Sequence, residues 1–381
     1  MKYNEKLSAD SISSYIFSSN SIISKLLPQG ATGVSLEHVG ILQKGKNSVI
    51  CFSLIFNIEK QKFNYEFILK TYQGVQHASF EKEYAALSFL RQYGFPVPRV
   101  FLAESNTKWF GFPFVIMEKI EGETLSEYFD THTLNESIEA VKRFAASLFS
   151  LHMMPIDAIP DLPVPKDEYA FVRLHTSIEK EFILEKGPEL KRFEVWLDNN
   201  CNRCPCNKYA ILHGDVNLRN FLVKKNGEII FTDWTWTKVG DPLKDVGNAY
   251  YNLRNDFEKK VIHKNGSLLA KHFLEAYCAK GGDIFGNFNL FHYIFTSCLS
   301  DACYAAKMKN VMKHPFNVRT YFGAKYVLIF PVVMFHFKRK YSWLKSLLNT
   351  YSQLALRDYP KNLQDFEAII ESENQARELD R

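Results

Sequence analysis

The chain has 381 residues, of which 46% are apolar and 23% are charged, and its formal net charge is +5 at pH 7. This length and composition are typical of a globular protein with two compact parts, each with its own hydrophobic core. The positive charges are spread along the sequence and are not gathered in one tract, so no nucleic-acid partner is expected.

Neither a signal peptide nor a membrane span is predicted. Residues Met1–Ile16 mix charges with serines and lack the apolar stretch of a secretory signal. The most apolar window, Tyr326–Phe337, contains Pro331 and is shorter than the about 20 residues that a membrane helix needs. The seven cysteines are an odd number and fit reduced thiols, so the predicted location is cytoplasmic.

Three of these cysteines, Cys201, Cys204 and Cys206, form a C-x2-C-x-C cluster of the kind that can hold zinc. No nearby fourth ligand is free, because the next histidine, His213, belongs to a motif described below. We therefore predict metal-free thiols, with a zinc site as the alternative.

The spacing of apolar residues predicts a helical leader over residues 1–32, with Ile12, Ile16, Leu26 and Leu27 among its apolar positions. Three strands follow, rich in β-branched and aromatic residues and separated by polar turns: Leu36–Gln43, Val49–Ile58 and Phe63–Thr71.

The hydrophobic period then changes from two to about 3.6 residues, which predicts a helix that Gly94 ends. Its predicted apolar face carries Phe80, Tyr84, Leu87, Leu90 and Tyr93. Two more strands are predicted near Arg99–Glu104 and Phe112–Lys119. Residues 33–120 are thus expected to form an N-terminal lobe.

After Gly122 the pattern is mainly helical, with short apolar strands between Ala210 and Asp233. We predict a C-terminal lobe over residues 121–360 and a charged tail over 361–381. The predicted class is α+β: a bilobal, protein-kinase-like fold with a five-stranded antiparallel N-lobe, one helix in that lobe, and a mainly helical C-lobe.

The strongest chemical signal is Asp215 followed by Asn220 in a D-x4-N arrangement between two apolar runs. Phosphoryl transfer to an alcohol needs a carboxylate that accepts the hydroxyl proton and an amide oxygen that binds Mg²⁺ beside it. Asp233 ends an apolar strand 18 positions after Asp215 and is placed to bind the same metal. A hairpin between them brings both acids to one end. Alternatively, Asp233 is an ordinary turn residue.

Gly240-Asp241-Pro242 predicts a helix start, with Asp241 as the N-cap and Pro242 at the first helical position. Asp245 lies inside that helix. It either accepts backbone N–H bonds from the catalytic loop or is an exposed first-turn acid.

These residues closely resemble the signature of the aminoglycoside phosphotransferase and choline kinase superfamily: His213-Gly-Asp215, Asn220, Asp233-Trp234, Gly240-Asp241-Pro242 and Asp245. The resemblance implies ATP and Mg²⁺ as cofactors, Asp215 as the catalytic base, and Asn220 and Asp233 as metal ligands. It also implies that residues 33–120 form the nucleotide-binding lobe and residues 121–360 the catalytic and acceptor-binding lobe. His213, Asp241 and Asp245 would then support the catalytic loop.

The ATP site implied by the resemblance is less sharply marked. Lys70, on an apolar strand, would contact the α- and β-phosphates, unless it is a lysine that extends to solvent from a strand end. Glu81 and Glu83 are both candidate partners for it. Glu83 is preferred, because the pair Glu83-Tyr84 resembles the residues that the family usually has at the position of the lysine's partner.

The backbone at Glu118 and Ile120 would bind the adenine edge. The loop that would cover the phosphates has a single glycine instead of a glycine-rich motif, so Ser48 and Lys46 are the candidate phosphate contacts. Two positions after Asp215 stands Asn217, where many protein kinases have lysine, which makes protein-kinase activity less expected.

We therefore predict an ATP-dependent phosphotransferase acting on a hydroxyl of a small metabolite or antibiotic. The alternatives are a catalytically silent nucleotide-binding or scaffold protein and a kinase that acts on protein-bound sugar adducts. The acceptor, the choice between ATP and GTP, and the oligomeric state stay open. Aromatic residues of the C-terminal helices, among them Phe291, Tyr293 and Phe295, line either an acceptor pocket or an ordinary helical core.

Overall fold

The computed structural model describes residues 7–43, 47–73, 77–156, 159–160, 162–255, 260–284, 288–311, 340–342, 344–346, 348–349 and 368. The chain divides into two compact units. The first comprises Met1–Thr131, Pro155–Leu162 and His213–Lys238, and the second comprises His132–Met154, Pro163–Leu212 and Val239–Arg381.

The helices and strands follow one another in this order: α1 (Ala9–Ile16), α2 (Asn20–Leu26), β1 (Thr32–Gln43), β2 (Val49–Ile58), β3 (Gln61–Thr71), α3 (His77–Gln92), β4 (Val100–Glu104), β5 (Phe114–Glu118), β6 (Glu123–Thr124), α4 (Leu125–Thr131), α5 (Leu134–His152), α6 (Ala170–Lys186), α7 (Arg192–Cys201), β7 (Ala210–Leu212), β8 (Phe221–Val223), β9 (Ile229–Phe231), β10 (Lys238–Gly240), α8 (Leu243–Asn255), α9 (Lys260–Ala279) and α10 (Asn289–Val311).

The first unit contains a five-stranded antiparallel sheet with the strand order β1-β2-β3-β5-β4. The predicted sheet and its single inserted helix are therefore confirmed. The sheet pairs Lys70 on β3 with Val115 on β5. Tyr72 directly follows β3, and because side chains two positions apart in extended chain point to the same side, it lies on the side of Lys70.

The leader helices α1 and α2 pack on the sheet and join its hydrophobic core. Ser8 caps α1 by accepting a hydrogen bond from the Ser11 amide, 3.1 Å away. Tyr15 of α1 is buried, and its ring meets the rings of Trp109, Phe110 and Phe114 edge to face. The leader is thus part of the core that holds the sheet.

Helix α3 packs with a second, smaller cluster that contains Tyr72, Phe80, Val115 and Met117. The prediction that Tyr84 and Tyr93 lie on the buried face of this helix is wrong, since they are 42% and 53% exposed. A tyrosine keeps its hydroxyl in water at little cost, so its ring is a weak marker of a buried helix face.

A second sheet of the first unit contains the hairpin of β8 and β9, with the order β6-β8-β9. Phe221 on β8 pairs with Phe231 on β9, and Val223 pairs with Ile229. Gly122 lies so close to β8 that a Cβ atom there would stand 2.8 Å from the Val223 carbonyl oxygen. This hairpin fixes the register between the loop before β8 and the turn after β9.

The second unit is mainly helical. Thr133 and Glu136 form a reciprocal capping box at the start of α5. Trp196 on α7 stacks on Phe295 of α10, with ring centroids 3.7 Å apart, and Phe291 and Tyr293 are buried too. These three aromatic residues of α10 therefore lie in a packed core.

Within the described part of the chain, no helix has both the length and the apolar character needed to cross a membrane. The apolar window 326–337 lies outside the described residues.

Candidate active site

The loop from His213 to Asn220 turns sharply before β8. Gly214 has φ +83°, and a Cβ atom there would collide with the carbonyl oxygen of Trp236, so both the conformation and the space favour glycine. The Asn217 amide donates to the Asp215 carbonyl oxygen, and the Asn220 amide donates to the Asn217 carbonyl oxygen, each over 2.8 Å. These local bonds fold the chain back so that Asp215 and Asn220 meet.

Asn220 is tied directly to Asp215. Its side-chain Nδ2 donates to the carbonyl oxygen of Asp215 over 3.0 Å and to the carboxylate Oδ2 over 3.1 Å. Because the amide nitrogen points at Asp215, the amide oxygen Oδ1 is left as an acceptor. Within the described residues, Oδ1 receives no hydrogen bond.

His213 anchors the start of this loop to the other strand of the hairpin. Its ring is fully buried, and Nε2 donates to the Thr232 carbonyl oxygen over 2.9 Å. The ring also contacts Trp234, with centroids 4.8 Å apart. The Thr232 amide, directly after β9, donates to the Asn220 carbonyl oxygen over 2.8 Å. The loop and the residues around Asp233 are thus held together by hydrogen bonds.

Asp233 follows β9 and has the left-handed backbone conformation, with φ 60°. Its side chain is 42% exposed. The carboxylate Oδ1 accepts from Lys70 Nζ over 2.7 Å and from Thr235 Oγ1 over 2.6 Å. Burial alone would raise the pKa of Asp233, but the charge and the hydrogen bond of Lys70 outweigh it and lower the pKa below its usual range.

Lys70 is buried and paired, which excludes a lysine that extends into solvent. Its Nζ donates to both carboxylate oxygens of Glu83, over 2.9 and 2.7 Å. Burial works to lower the pKa of Lys70, but the carboxylates of Glu83 and Asp233 raise it above its ordinary value. Of the two candidate partners, Glu83 makes the ion pair, whereas Glu81 is exposed.

Two residues that the sequence interpretation did not single out complete this cluster. The Tyr72 hydroxyl donates to Glu83 Oε2 over 2.8 Å. Thr235 Oγ1 lies 3.0 Å from Lys70 Nζ, 3.0 Å from Glu83 Oε2 and 2.6 Å from Asp233 Oδ1. Strand alternation could have indicated Tyr72, two positions after Lys70, but no sequence signal marks Thr235.

Glu83 is further fixed by the backbone, because the Trp234 amide donates to its Oε1 over 3.2 Å. Glu83 thus receives hydrogen bonds from Lys70, from Tyr72 and from the segment that follows Asp233. The whole cluster of Lys70, Tyr72, Glu83, Asp233 and Thr235 belongs to the first unit.

The other predicted nucleotide contacts also lie in the first unit. Ser48 is buried beside the end of β3, where its carbonyl oxygen accepts from the Thr71 amide over 2.9 Å. The Glu118 amide is already used, since it donates to the Arg99 carbonyl oxygen over 2.8 Å. Within the described residues, the backbone of Ile120 makes no hydrogen bond. The predicted contact Lys46 lies outside the described residues.

The second unit holds the two remaining acids, and both are buried. Asp241 Oδ1 accepts from the Leu243 amide over 2.9 Å at the start of α8, and Oδ2 accepts from Asn289 Nδ2. Burial raises the pKa of Asp241 to about 6.

Asp245 is fully buried, which excludes an exposed first-turn acid. Its Oδ2 lies 3.5 Å from Nε2 of His152, whose Nδ1 lies 2.7 Å from the Tyr277 hydroxyl. A role of Asp245 in supporting the catalytic loop stays a prediction.

The cysteine cluster Cys201, Cys204 and Cys206 lies in the second unit. Each thiol is directed at a different backbone carbonyl oxygen: Asp198 at 3.3 Å, Asn200 at 3.5 Å and Lys208 at 3.4 Å. Burial raises the pKa of Cys206 to about 12, so its thiol is held in the protonated form. That these thiols are metal-free remains a prediction.

Comparison with known proteins identifies the family of this chain. The model of the phosphotransferase enzyme family matches residues 56–284, which is more than half of the chain and includes every residue of the two hydrogen-bonded clusters. The chain belongs to this family. The family predicted from the sequence motifs is thus confirmed.

One relative by sequence is the Protein LicA homolog of Metamycoplasma hominis, which is 26% identical over 181 residues. The match covers 46% of this chain and 64% of that protein, so the chain spans less than two thirds of its length.

Two solved structures resemble the fold. One is a Ralstonia eutropha protein assigned as an aminoglycoside phosphotransferase, with a TM-score of 0.61 and 16% identity over 91% of this chain and 98% of that one. The other is APH(2")-IIa in a ternary complex with streptomycin and ATP, with a TM-score of 0.50 and 16% identity over 78% and 90% of the two chains. At such identity the likeness shows the fold alone, and it confirms the predicted kinase-like class.

Proposed function

We propose that this member of the family is an ATP-dependent phosphotransferase that transfers the γ-phosphate to a hydroxyl of a small metabolite or antibiotic. The observation that carries the proposal is that the first unit contains two clusters of polar side chains. One holds an acid beside an amide, Asp215 and Asn220, and the other holds Lys70 between two carboxylates, Glu83 and Asp233.

The oxygen atoms left over by these contacts fit Mg²⁺. Asn220 Oδ1 and Asp233 Oδ2 receive no hydrogen bond within the described residues, and Asp233 is partly exposed. Amide and carboxylate oxygens are the ligands that this ion prefers. Mg²⁺ held by Asn220 and Asp233 would neutralise charge on the β- and γ-phosphates.

Lys70 is prepared to bind phosphate oxygens. An ammonium has three protons, and here four acceptors surround it: two oxygens of Glu83, one of Asp233 and the hydroxyl of Thr235. The neutral hydroxyl is the weakest of these acceptors, so an incoming phosphate oxygen displaces it most easily. Glu83, held by Tyr72 and the Trp234 amide, keeps Lys70 in place during the exchange.

Ile120 and Ser48 complete the proposed nucleotide site, with Ile120 at the adenine edge and Ser48 at the phosphates. The unused backbone groups of Ile120 can hydrogen-bond the adenine edge, with Glu118 beside it at the end of β5. The structurally similar APH(2")-IIa binds ATP, and ATP is the donor we propose here.

Asp215 is the proposed catalytic base. The Asn220 side-chain amide donates to its Oδ2 over 3.1 Å, which orients the carboxylate that would accept the proton of the acceptor hydroxyl. The hydroxyl oxygen then attacks the γ-phosphorus, the bond to the bridging oxygen breaks, and ADP leaves. His213 holds the loop through Thr232, while support from Asp241 and Asp245 in the second unit is part of the proposal.

The test is Asp215→Asn, which keeps the side-chain volume but removes the charge that accepts the proton. ADP release would be measured with ATP and a panel of amino alcohols, sugars and antibiotics. We expect turnover of a positive acceptor to fall on the order of 10²–10⁴-fold, with the acceptor KM little changed. Asp10→Asn, at an exposed position of α1, is the matched control and should retain full activity.

Wild-type turnover in Asp215→Asn would refute the proposed role of this acid. Binding of nucleotide without turnover of any free acceptor would favour a silent nucleotide-binding protein. Activity on glycated protein alone would favour the kinase of protein-bound sugar adducts. A cytoplasmic location stays a prediction.

A further inference from the structure

A cavity on the first unit lies between helix α3 and the start of strand β4. It has a volume of about 390 Å³ and is lined by Leu87, Ser88 and Arg91 of α3 and by Arg99 and Val100 at the β4 end. Small-molecule sites typically have volumes of about 300–1,000 Å³. The cavity is thus large enough for one small ligand.

Its two arginines are both oriented by contacts with the protein. Arg91 Nη1 donates to the Val97 carbonyl oxygen over 3.3 Å, and the guanidinium of Arg99 lies over the ring of Phe101, 4.7 Å from its centroid. Each contact restrains a long side chain and leaves most of its N–H donors free for another acceptor. Part of the entropy cost of fixing these side chains around a ligand is therefore already met.

The two charged side chains that line this cavity are both positive. Within the described residues, no carboxylate pairs with either guanidinium. The nearest carboxylate contact is that of Glu118, whose Oε2 accepts from the backbone amide of Arg99, 3.2 Å away, and not from its side chain.

One effect opposes anion binding, because Arg91 stands in the last turn of α3 and the carbonyl end of a helix repels anions. That dipole weakens binding by about two- to fivefold. Each charge-assisted hydrogen bond from an arginine strengthens it by about tenfold or more. Two arginines therefore outweigh the dipole.

The other lining residues are Ser88 and the apolar Leu87 and Val100. Leu87 is only 2% exposed, and Val100 is partly buried beside it. We propose that this cavity binds a small oxyanion with an apolar body, whose phosphate or carboxylate group pairs with Arg91 and Arg99 while the body rests on Leu87 and Val100.

Such a ligand would connect α3 to β4. Glu83, Leu87 and Arg91 follow one another at four-residue spacing and so lie along one row of α3. A ligand bound to Arg91 and Arg99 would restrain the helix that carries Glu83, the partner of Lys70. The site is therefore suited to regulation of the nucleotide site, although its existence does not depend on the proposed activity.

The test is calorimetric titration of the full chain, without nucleotide, using inorganic phosphate, phenyl phosphate and benzoate as probes. We expect saturable binding of phenyl phosphate, tighter than that of inorganic phosphate because of the apolar walls. In the double variant R91Q/R99Q the affinity should fall by about tenfold or more. The matched control K82Q/K108Q also removes two positive charges from exposed positions of the first unit and should bind like the wild type.

Binding of both phenyl phosphate and benzoate would support a site for oxyanions in general, and binding of phenyl phosphate alone would support a site for phosphate esters. Equal affinity in the wild type and in R91Q/R99Q would overturn the proposal, since the probe would then bind elsewhere, for example near Lys70. The absence of saturable binding of any probe would overturn it as well. Circular dichroism of both double variants checks that the fold is kept.

Discussion

His292 on α10 should limit the stability of the protein in acid. Its ring is fully buried, and within the described residues neither ring nitrogen has a hydrogen-bond partner. The ring lies nearly parallel to that of Trp196, with centroids 5.8 Å apart. Burial lowers the pKa of His292 to about 3, because the charged form cannot be solvated there.

The sign of the pH effect follows from comparing the two states. The unfolded chain has a histidine pKa of about 6.5 and binds a proton as the pH falls below that value, whereas native His292 stays neutral down to about pH 3. Acid therefore favours the unfolded state. Integrating the difference in bound protons from pH 7 to pH 5 gives a loss of about 2 kcal/mol in the free energy of unfolding.

His292→Phe removes this proton site and also the two unpartnered ring nitrogens, while it keeps an aromatic ring beside Trp196. We expect the variant to be more stable than the wild type and to lose about 2 kcal/mol less between pH 7 and pH 5. Urea unfolding followed by far-UV circular dichroism at both pH values measures the difference. Tyr304→Phe, at a half-exposed position of the same helix, is the control and should keep the wild-type acid dependence.

Nuclear magnetic resonance offers an independent check. With labelled histidine, the resonance that disappears in His292→Phe should not titrate between pH 8 and about pH 4. Titration of that resonance near pH 6.5, or an unchanged acid dependence in the variant, would refute the reasoning.

Three further perturbations probe the first unit. Thr235→Val removes the hydroxyl that donates to Asp233 Oδ1 and holds the proposed metal ligand in place, so it should lower kcat about tenfold or more, whereas Thr235→Ser should restore most of it; equal kcat values in the two variants would contradict the role of the hydroxyl. Asp233→Ala should weaken ATP binding to the level seen with the wild type after Mg²⁺ chelation, as measured by calorimetry, and unchanged tight binding in both cases would exclude this acid as a metal ligand. Tyr15→Ala should cost about 3–5 kcal/mol in denaturant unfolding, because its ring packs on Trp109, Phe110 and Phe114, and a loss below about 1 kcal/mol would show that the leader does not stabilise the sheet.

The sequence by itself determined the family, the fold class and the order of the elements. Asp215 and Asn220 are joined by a short loop between apolar runs, and their contact is made by hydrogen bonds within that loop. Local spacing and hydrophobic period carry this information directly. The same holds for the helix start at Asp241, where a side chain caps an amide two positions later.

Only the tertiary structure decided which acid meets Lys70. Glu81 and Glu83 are two positions apart, and on a helix this places them about 200° apart, on opposite faces. Which of these faces the sheet depends on how α3 packs with Tyr72, Val115 and Met117. The resemblance favoured Glu83, but the residues alone left the choice open.

Tertiary packing also decided which tyrosines are buried and which distant threonine contacts Lys70. Tyr84 and Tyr93 fit the helical period but are exposed, whereas Tyr72 is buried and binds Glu83. Thr235 meets Lys70 across 165 positions of sequence. A residue's role in such a cluster is set by partners that are distant in the chain, and their proximity is created by the packing of the sheet, α3 and the hairpin, which no local pattern encodes.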